Sequence, residues 1–208
     1  MPHASSIETQ EQILNVAECL LAENGYAGTT LRNVVSKANV NLAAVHYHFG
    51  SKEDLLKAVI ARISGPVVSG QLAALAALIE KDVPLSVAAI LRAYLEPALT
   101  CAMGCREAHP LRGQFIGRSR TEPEPMQSIA AEQFQPSTEK FLDALQQALP
   151  DQTRSQLNWK LDLVVACLIR SLFKAGQPNA VLSTHTPDGL EQAITKLIAF
   201  LTPGLESD

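Results

Sequence analysis

Charge is what this sequence has least of. Only 18% of its 208 residues are Asp, Glu, Lys or Arg, against about 25% in an ordinary globular chain. Long hydrophobic runs are missing as well. Leu72–Ile79 and Leu161–Ile169 fall far short of the roughly 18–20 apolar residues of a spanning helix, which argues against a membrane protein. The first ten residues are polar and include Glu8, so neither a signal nor a transit peptide is read there, and a cytoplasmic location is expected. Cysteine is sparse: Cys19, Cys101, Cys105 and Cys167 form no CxxC pair, and they are expected as reduced thiols. Gly-rich phosphate loops, Glu-x-x-His pairs and Asp-rich metal motifs are absent, so no cofactor or resident metal is expected and an enzyme is disfavoured. Strand-type alternation is absent too. With 47% hydrophobic residues and a net charge of −4, disorder is excluded.

What remains is helical periodicity nearly throughout, which predicts an all-α fold. Ile13, Val16, Ala17, Leu20 and Leu21 fall on one face of a first helix, and Gly25 suits the left-handed residue that ends it. Short helices are predicted over 30–38 and 41–49, and a long one from Ser51, where Ser51 and Asp54 read as an N-terminal cap. Gly65-Pro66 and Gly70 are expected to bend or interrupt that helix. Further helices are expected over 85–103, 126–149 with a kink at Pro136, 153–175 and 188–201.

The informative segment runs from Thr29 to Lys52. Its two helices are too short to be stable alone and are joined at Asn39, a residue type that tolerates left-handed backbone. Leu31, Val34, Val35, Val40, Val45 and Phe49 supply the apolar faces that would lock the pair onto the first helix. That is a helix-turn-helix pattern, whose second helix can enter a DNA major groove; an ordinary helical hairpin is the plainer reading. One further absence bears on the choice. No Asp or Glu lies between Glu23 and Glu53, while Arg32, Lys37, His46, His48 and Lys52 do. An acid-free cationic window on an acidic chain suits a phosphate backbone.

At these residues the sequence resembles the TetR family of bacterial one-component transcription regulators. Thr30-Leu31, Val40-Asn41, Tyr47-His48-Phe49 and Ser51-Lys52-Glu53-Asp54-Leu55 stand in register with the family pattern. The resemblance implies a helix-turn-helix DNA-binding head over residues 1–50 and a larger helical effector-binding and dimerisation domain over 51–208. It implies phosphate contacts at Thr29 and Thr30, and a base-reaching guanidinium at Arg32. Asn41, Leu42, Ala43 and Ala44 would form the exposed start of the recognition helix, with Leu42 open to partial burial. Tyr47, His48 and Lys52 would clamp the backbone. His46 stands where a tyrosine is frequent, Asn39 where a glycine is usual, and Asn33 where an acid is common.

For the rest, a homodimer on a palindromic double-stranded operator, controlled by a small-molecule effector, is the implied logic. Apolar stripes at Leu161, Val164, Leu168 and Leu172, and at Leu190, Ile194, Leu197 and Leu201, are expected at the dimer seam, unless one subunit buries them itself. Cys101, Phe115, Arg118 and Trp159 are the expected effector contacts, and the effector class is small and apolar or acidic and lipid-like. Arg112, Arg118 and Arg120 can instead pair with Glu122 and Glu124. Cys101, Cys105 and His109 leave open a metal- or redox-responsive regulator; a small helical enzyme is the remote alternative.

Overall fold

The computed structural model describes residues 6–104, 115, 119 and 122–207. Among these residues there are eight helices and no strand, so the fold is all-α. The helices are α1 (Ser6–Gly28), α2 (Leu31–Ala38), α3 (Leu42–Phe49), α4 (Lys52–Ile79), α5 (Val87–Gly104), α6 (Met126–Ala148), α7 (Arg154–Lys174) and α8 (Pro187–Glu206). The chain divides into two compact units, Met1–Ser64 with Arg106–Gln133 and Gly65–Cys105 with Phe134–Asp208. Both α4 and α6 supply residues to each unit.

In the first unit α1, α2 and α3 pack on one another. Ile13, Ala17, Val34 and Val45 are wholly buried there. The helical path of α1 breaks at Gly25, whose φ of 69° and ψ of −179° belong to a region open essentially to glycine alone. α4 is tied to α1 by Arg62, which donates to Glu18 at 2.7 Å, Asn15 at 2.7 Å and Glu11 at 3.3 Å.

α4 continues through Gly65-Pro66 and Gly70, where the sequence predicts a bend or an interruption. Gly70 has a different use: a Cβ there would lie 3.0 Å from the Cβ of Pro97 on α5, so glycine permits close approach of the two helices. The uninterrupted helix is, by length and composition, apolar enough to cross a membrane, which the short runs in the sequence concealed. Of its buried polar side chains, Gln71 is satisfied by protein, whereas the Ser64 hydroxyl has no hydrogen-bond partner among the described residues. Gln71, 1% exposed, donates to the Tyr94 carbonyl at 2.8 Å and accepts from the Ser137 hydroxyl at 2.7 Å.

In the second unit α8 packs on α5 and α7. Here the expected dimer seam needs correction. Leu161, Val164, Leu168 and Leu172 on α7, and Ile194, Leu197 and Leu201 on α8, are buried within the single chain, and Leu190 is half-buried. Periodicity finds the most continuous apolar stripe of a helix, and a protomer's own core claims that stripe first. The exposed apolar side chains of the same helices are Trp159, Leu163, Phe173 and Phe200. α8 also runs beyond the expected end at Leu201, through Pro203 to Glu206, with Leu205 buried. Its last carbonyls are held from α7 and the turn before it. The Lys160 ammonium donates to Leu205 O at 3.2 Å and to Ser207 O, and the Gln152 amide donates to Leu205 O at 2.8 Å.

Candidate nucleic-acid interface

Four local caps build the α2–α3 pair. Thr30 is extended at φ −118°, ψ 152°, and its hydroxyl oxygen accepts from Asn33 N at 3.1 Å, opening α2. Asn39 adopts the left-handed conformation, φ 49° and ψ 44°, that the turn requires, and closes α2. Asn41 is extended and accepts from Ala44 N at 2.7 Å, opening α3. Ser51 and Asp54 then form a reciprocal cap on α4: Ser51 N donates to Asp54 Oδ2 at 3.2 Å, and Asp54 N donates to Ser51 Oγ at 3.1 Å.

With α3 so fixed, Val45 and Phe49 turn inward and the opposite face is open. Asn41, Leu42, Ala43, His46 and Tyr47 are exposed, while Ala44 and His48 are half-buried. Tyr47 is 82% exposed, unusual for so large an aromatic side chain on a short helix. Arg32 and Lys37 are exposed on α2; Lys37 lies 3.8 Å from Glu23. His46 Nδ1 is 2.6 Å from the Gly50 carbonyl, so Nδ1 carries the proton there and Nε2 of a neutral ring is left as an acceptor. The carboxylates that follow are occupied: Asp54 with Ser51, and Glu53 with Lys57 at 3.0 Å.

Two of the expected phosphate contacts have internal duties. Thr29 is buried, and its hydroxyl donates to Gly25 O at 2.8 Å and Leu20 O at 3.1 Å, finishing α1. A hydroxyl committed to helix-end carbonyls has no surface for a ligand, so Thr29 leaves the set. Lys52 is half-buried, donates to Tyr26 O at 2.6 Å, and places its ammonium 4.0 Å from the centre of the Tyr26 ring. Burial pushes its pKa down. It anchors the start of α4 to the end of α1, leaving its other N–H groups for any further partner. Thr30, by contrast, keeps its own O–H free while its oxygen caps α2.

Two family models match the chain: bacterial regulatory proteins of the tetR family over residues 13–59, and the tetracyclin repressor-like C-terminal domain over residues 92–204. The chain belongs to the TetR family. Among relatives, it is 37% identical over 46 residues to the biofilm operon icaADBC negative transcriptional regulator IcaR of Staphylococcus aureus, covering 22% of this chain and 25% of that one. It is 40% identical over 53 residues to an HTH-type transcriptional regulator of Mycobacterium bovis, covering 26% of this chain and 28% of the other. The alignment thus spans about a quarter of the length of these relatives. The fold is similar to that of a TetR-like transcriptional regulator from Rhodococcus sp. RHA1, with a TM-score of 0.66, 18% identity and 100% of both chains covered.

The effector residues expected of this TetR-family chain fare differently from one another. Phe115 is fully buried and Cys101 half-buried. Trp159 is 51% exposed on α7. Arg118, together with Cys105 and His109 of the metal or redox alternative, lies outside the described residues. A hollow of about 350 Å³ at the end of α7 is lined by Arg170, Lys174 and Pro178, but by none of the expected effector residues.

Sequence reasoning missed one of the ties that hold the N-terminal unit together. It is made by Glu122, whose carboxylate accepts from Tyr26 N at 3.3 Å, 96 positions away, and no local signal marks it. Asp54 is a tie the sequence did mark. Its hydrogen bond from the Ser51 hydroxyl holds the carboxyl below its ordinary value of 3.8. A depressed folded-state pKa contributes stability that is present above the unfolded value and lost as pH falls through the folded one. Asp54→Ala should therefore lower the melting temperature at neutral pH, with the gap to wild type narrowing below about pH 4. A gap of constant size from neutral pH to pH 2 would count against this cap.

Proposed function

We propose that this TetR-family transcriptional regulator is a homodimer that represses transcription by binding a palindromic DNA operator through α3, and that a small apolar or acidic lipid-like effector releases it. The observation that carries the reading is the outward face of α3. Leu42, Ala43, His46 and Tyr47 stand exposed on a helix stabilised wholly from its other side, with no carboxylate among them. Tyr47 and His48 would contact phosphates, Thr30 would donate its free O–H to one, and Ala43 and Ala44 would meet thymine methyls. Arg32, on α2, would supply a guanidinium for a base edge. Asn41 retains its amide N–H groups for the same surface while its oxygen caps the helix.

Two copies are needed because one recognition helix reads only a few base pairs, whereas two related by a two-fold axis read half-sites about one helical turn apart. The exposed Trp159, Leu163 and Phe173 of α7 and Phe200 of α8 are the apolar surface that a second copy would cover. Release by an effector then requires that it favour a head spacing that fits two successive grooves poorly. α4, like α6, belongs to both compact units and is a covalent route for such coupling. A cytoplasmic location follows from this role.

Selection of bound fragments from random duplex DNA tests the reading. A palindromic consensus is the expected result, and a failure to enrich any duplex sequence refutes it. On the selected operator, Arg32→Ala should cost about 1–3 kcal/mol and relax discrimination at one position of each half-site. Tyr47→Ala should weaken binding evenly across sequences. An Arg32→Ala variant with unaltered affinity and consensus would remove α2 from the interface.

A further inference from the structure

The outward stripe of α7 reads Trp159, Asp162, Leu163, Ala166, Ile169, Arg170 and Phe173, and its chemistry is a palindrome centred on Ala166. Three residues to either side stand Leu163 and Ile169, both aliphatic. Four to either side stand Asp162 and Arg170, of opposite charge. Seven to either side stand Trp159 and Phe173, both aromatic. All are exposed except Ile169, which is half-buried. Asp162 and Arg170 cannot satisfy each other within one chain, since eight residues of helix separate them by about 12 Å. Among the described residues, neither side chain has an ion pair or hydrogen bond within the protomer.

We propose that two copies of α7 cross antiparallel with Ala166 on the two-fold axis, so that Asp162 of each protomer pairs with Arg170 of the other. An isologous contact demands such self-complementarity: when one residue touches a second across the axis, the second touches the first. Antiparallel pairing about Ala166 places aromatic against aromatic, aliphatic against aliphatic and carboxylate against guanidinium, each twice. Side-chain size follows the geometry too. The smallest residue sits at the crossing, where the axes come closest, and the longest sit at the ends, where crossed helices diverge. Displacing the centre by one turn to Asp162 or Arg170 would set like charges face to face. The charge pair thus selects the register that the apolar residues alone leave open. This inference rests on the homodimer reading above and adds the register and the specifying contacts.

Complementary charge reversals test it on the full chain. In Asp162→Arg, two guanidinium groups would oppose each other on both sides of the axis; in Arg170→Asp, two carboxylates would. Each variant alone should dissociate at least about tenfold more readily than wild type in sedimentation velocity. Mixed in equal amounts, the two should form a heterodimer, because every facing pair is then of opposite charge. Native mass spectrometry resolves the three species. Both residues are exposed, so circular dichroism should report unchanged helix content in each. Variants that dimerise as wild type does, or weakened variants that fail to pair when mixed, overturn this register while leaving a dimer in place. A wild-type chain that stays monomeric up to high micromolar concentration removes the dimer reading, and this inference with it.

Discussion

Arg62→Met destabilises the N-terminal unit by about 3–5 kcal/mol, the range for removing one partner from a buried ion pair. The guanidinium is 17% exposed and the Glu18 carboxylate 2%, with 2.7 Å between them. Stripping the cation leaves a carboxylate that water cannot reach, and desolvation makes that more costly than the loss of a surface pair. Glu18→Ala should be milder. Arg62 then keeps Asn15 and Glu11, and the Glu11 side chain is 58% exposed, so the remaining charge is partly solvated. Replacing both partners with apolar residues, Glu18→Leu with Arg62→Met, should recover most of the loss. Urea unfolding followed by circular dichroism gives all three values. Equal costs for the two single changes, or a double variant worse than either, would mean that desolvation is not the dominant effect.

The second large effect is expected at Lys160, 3% exposed beneath the end of α8. Its ammonium donates to Gln152 Oε1 at 2.8 Å, Leu205 O at 3.2 Å and Ser207 O. The Leu205 and Ser207 carbonyls belong to the last turn of α8 and its cap, where no intrahelical donors remain and the helix dipole is negative. Lys160→Met keeps the stem's bulk and removes every one of those donors. Loss of charge-assisted bonds to buried oxygens should cost about 2–4 kcal/mol. The damage should be local first: amide exchange over the final turns of α8 should accelerate well before the rest of the unit opens. Unchanged protection there, with a lowered global stability, would show that Lys160 supports the core of α7 rather than the end of α8.

These two residues mark where reading the sequence stops being sufficient. Arg62 and Lys160 look like solvated charges on a linear pattern. Their partners lie 44 and 45 positions away, at Glu18 and Leu205. The same distance effect separates Thr29 from Thr30. Thr30 caps α2 through a bond that spans three residues. The Thr29 hydroxyl instead reaches back to the end of α1, as far as Leu20. Lys52 is a third case: its ammonium is directed to Tyr26 by the fold of the head.

Much of the helical layout was legible because its signals are local. Thr30, Asn39, Asn41 and Ser51 delimit α2, α3 and the start of α4 by bonds that span at most a few residues. Gly65, Pro66 and Gly70 misled for the converse reason. A proline forfeits one hydrogen bond, and a glycine a few tenths to about one kcal/mol of propensity. Packing outweighs such costs when it holds the helix on both sides of them.

The sequence by itself determined an all-α chain with a capped two-helix segment free of acids, because propensity, capping and charge patterning are properties of neighbouring residues. It also contained the palindrome around Ala166, but without saying which face of α7 was outermost. Only the tertiary structure decided that. Apolar stripes of a helix look alike in one dimension, and which of them turns inward depends on volumes contributed by helices far away in the chain. Here α5 and α8 complete the core against Leu161, Val164 and Leu168, leaving Trp159, Leu163 and Phe173 outside.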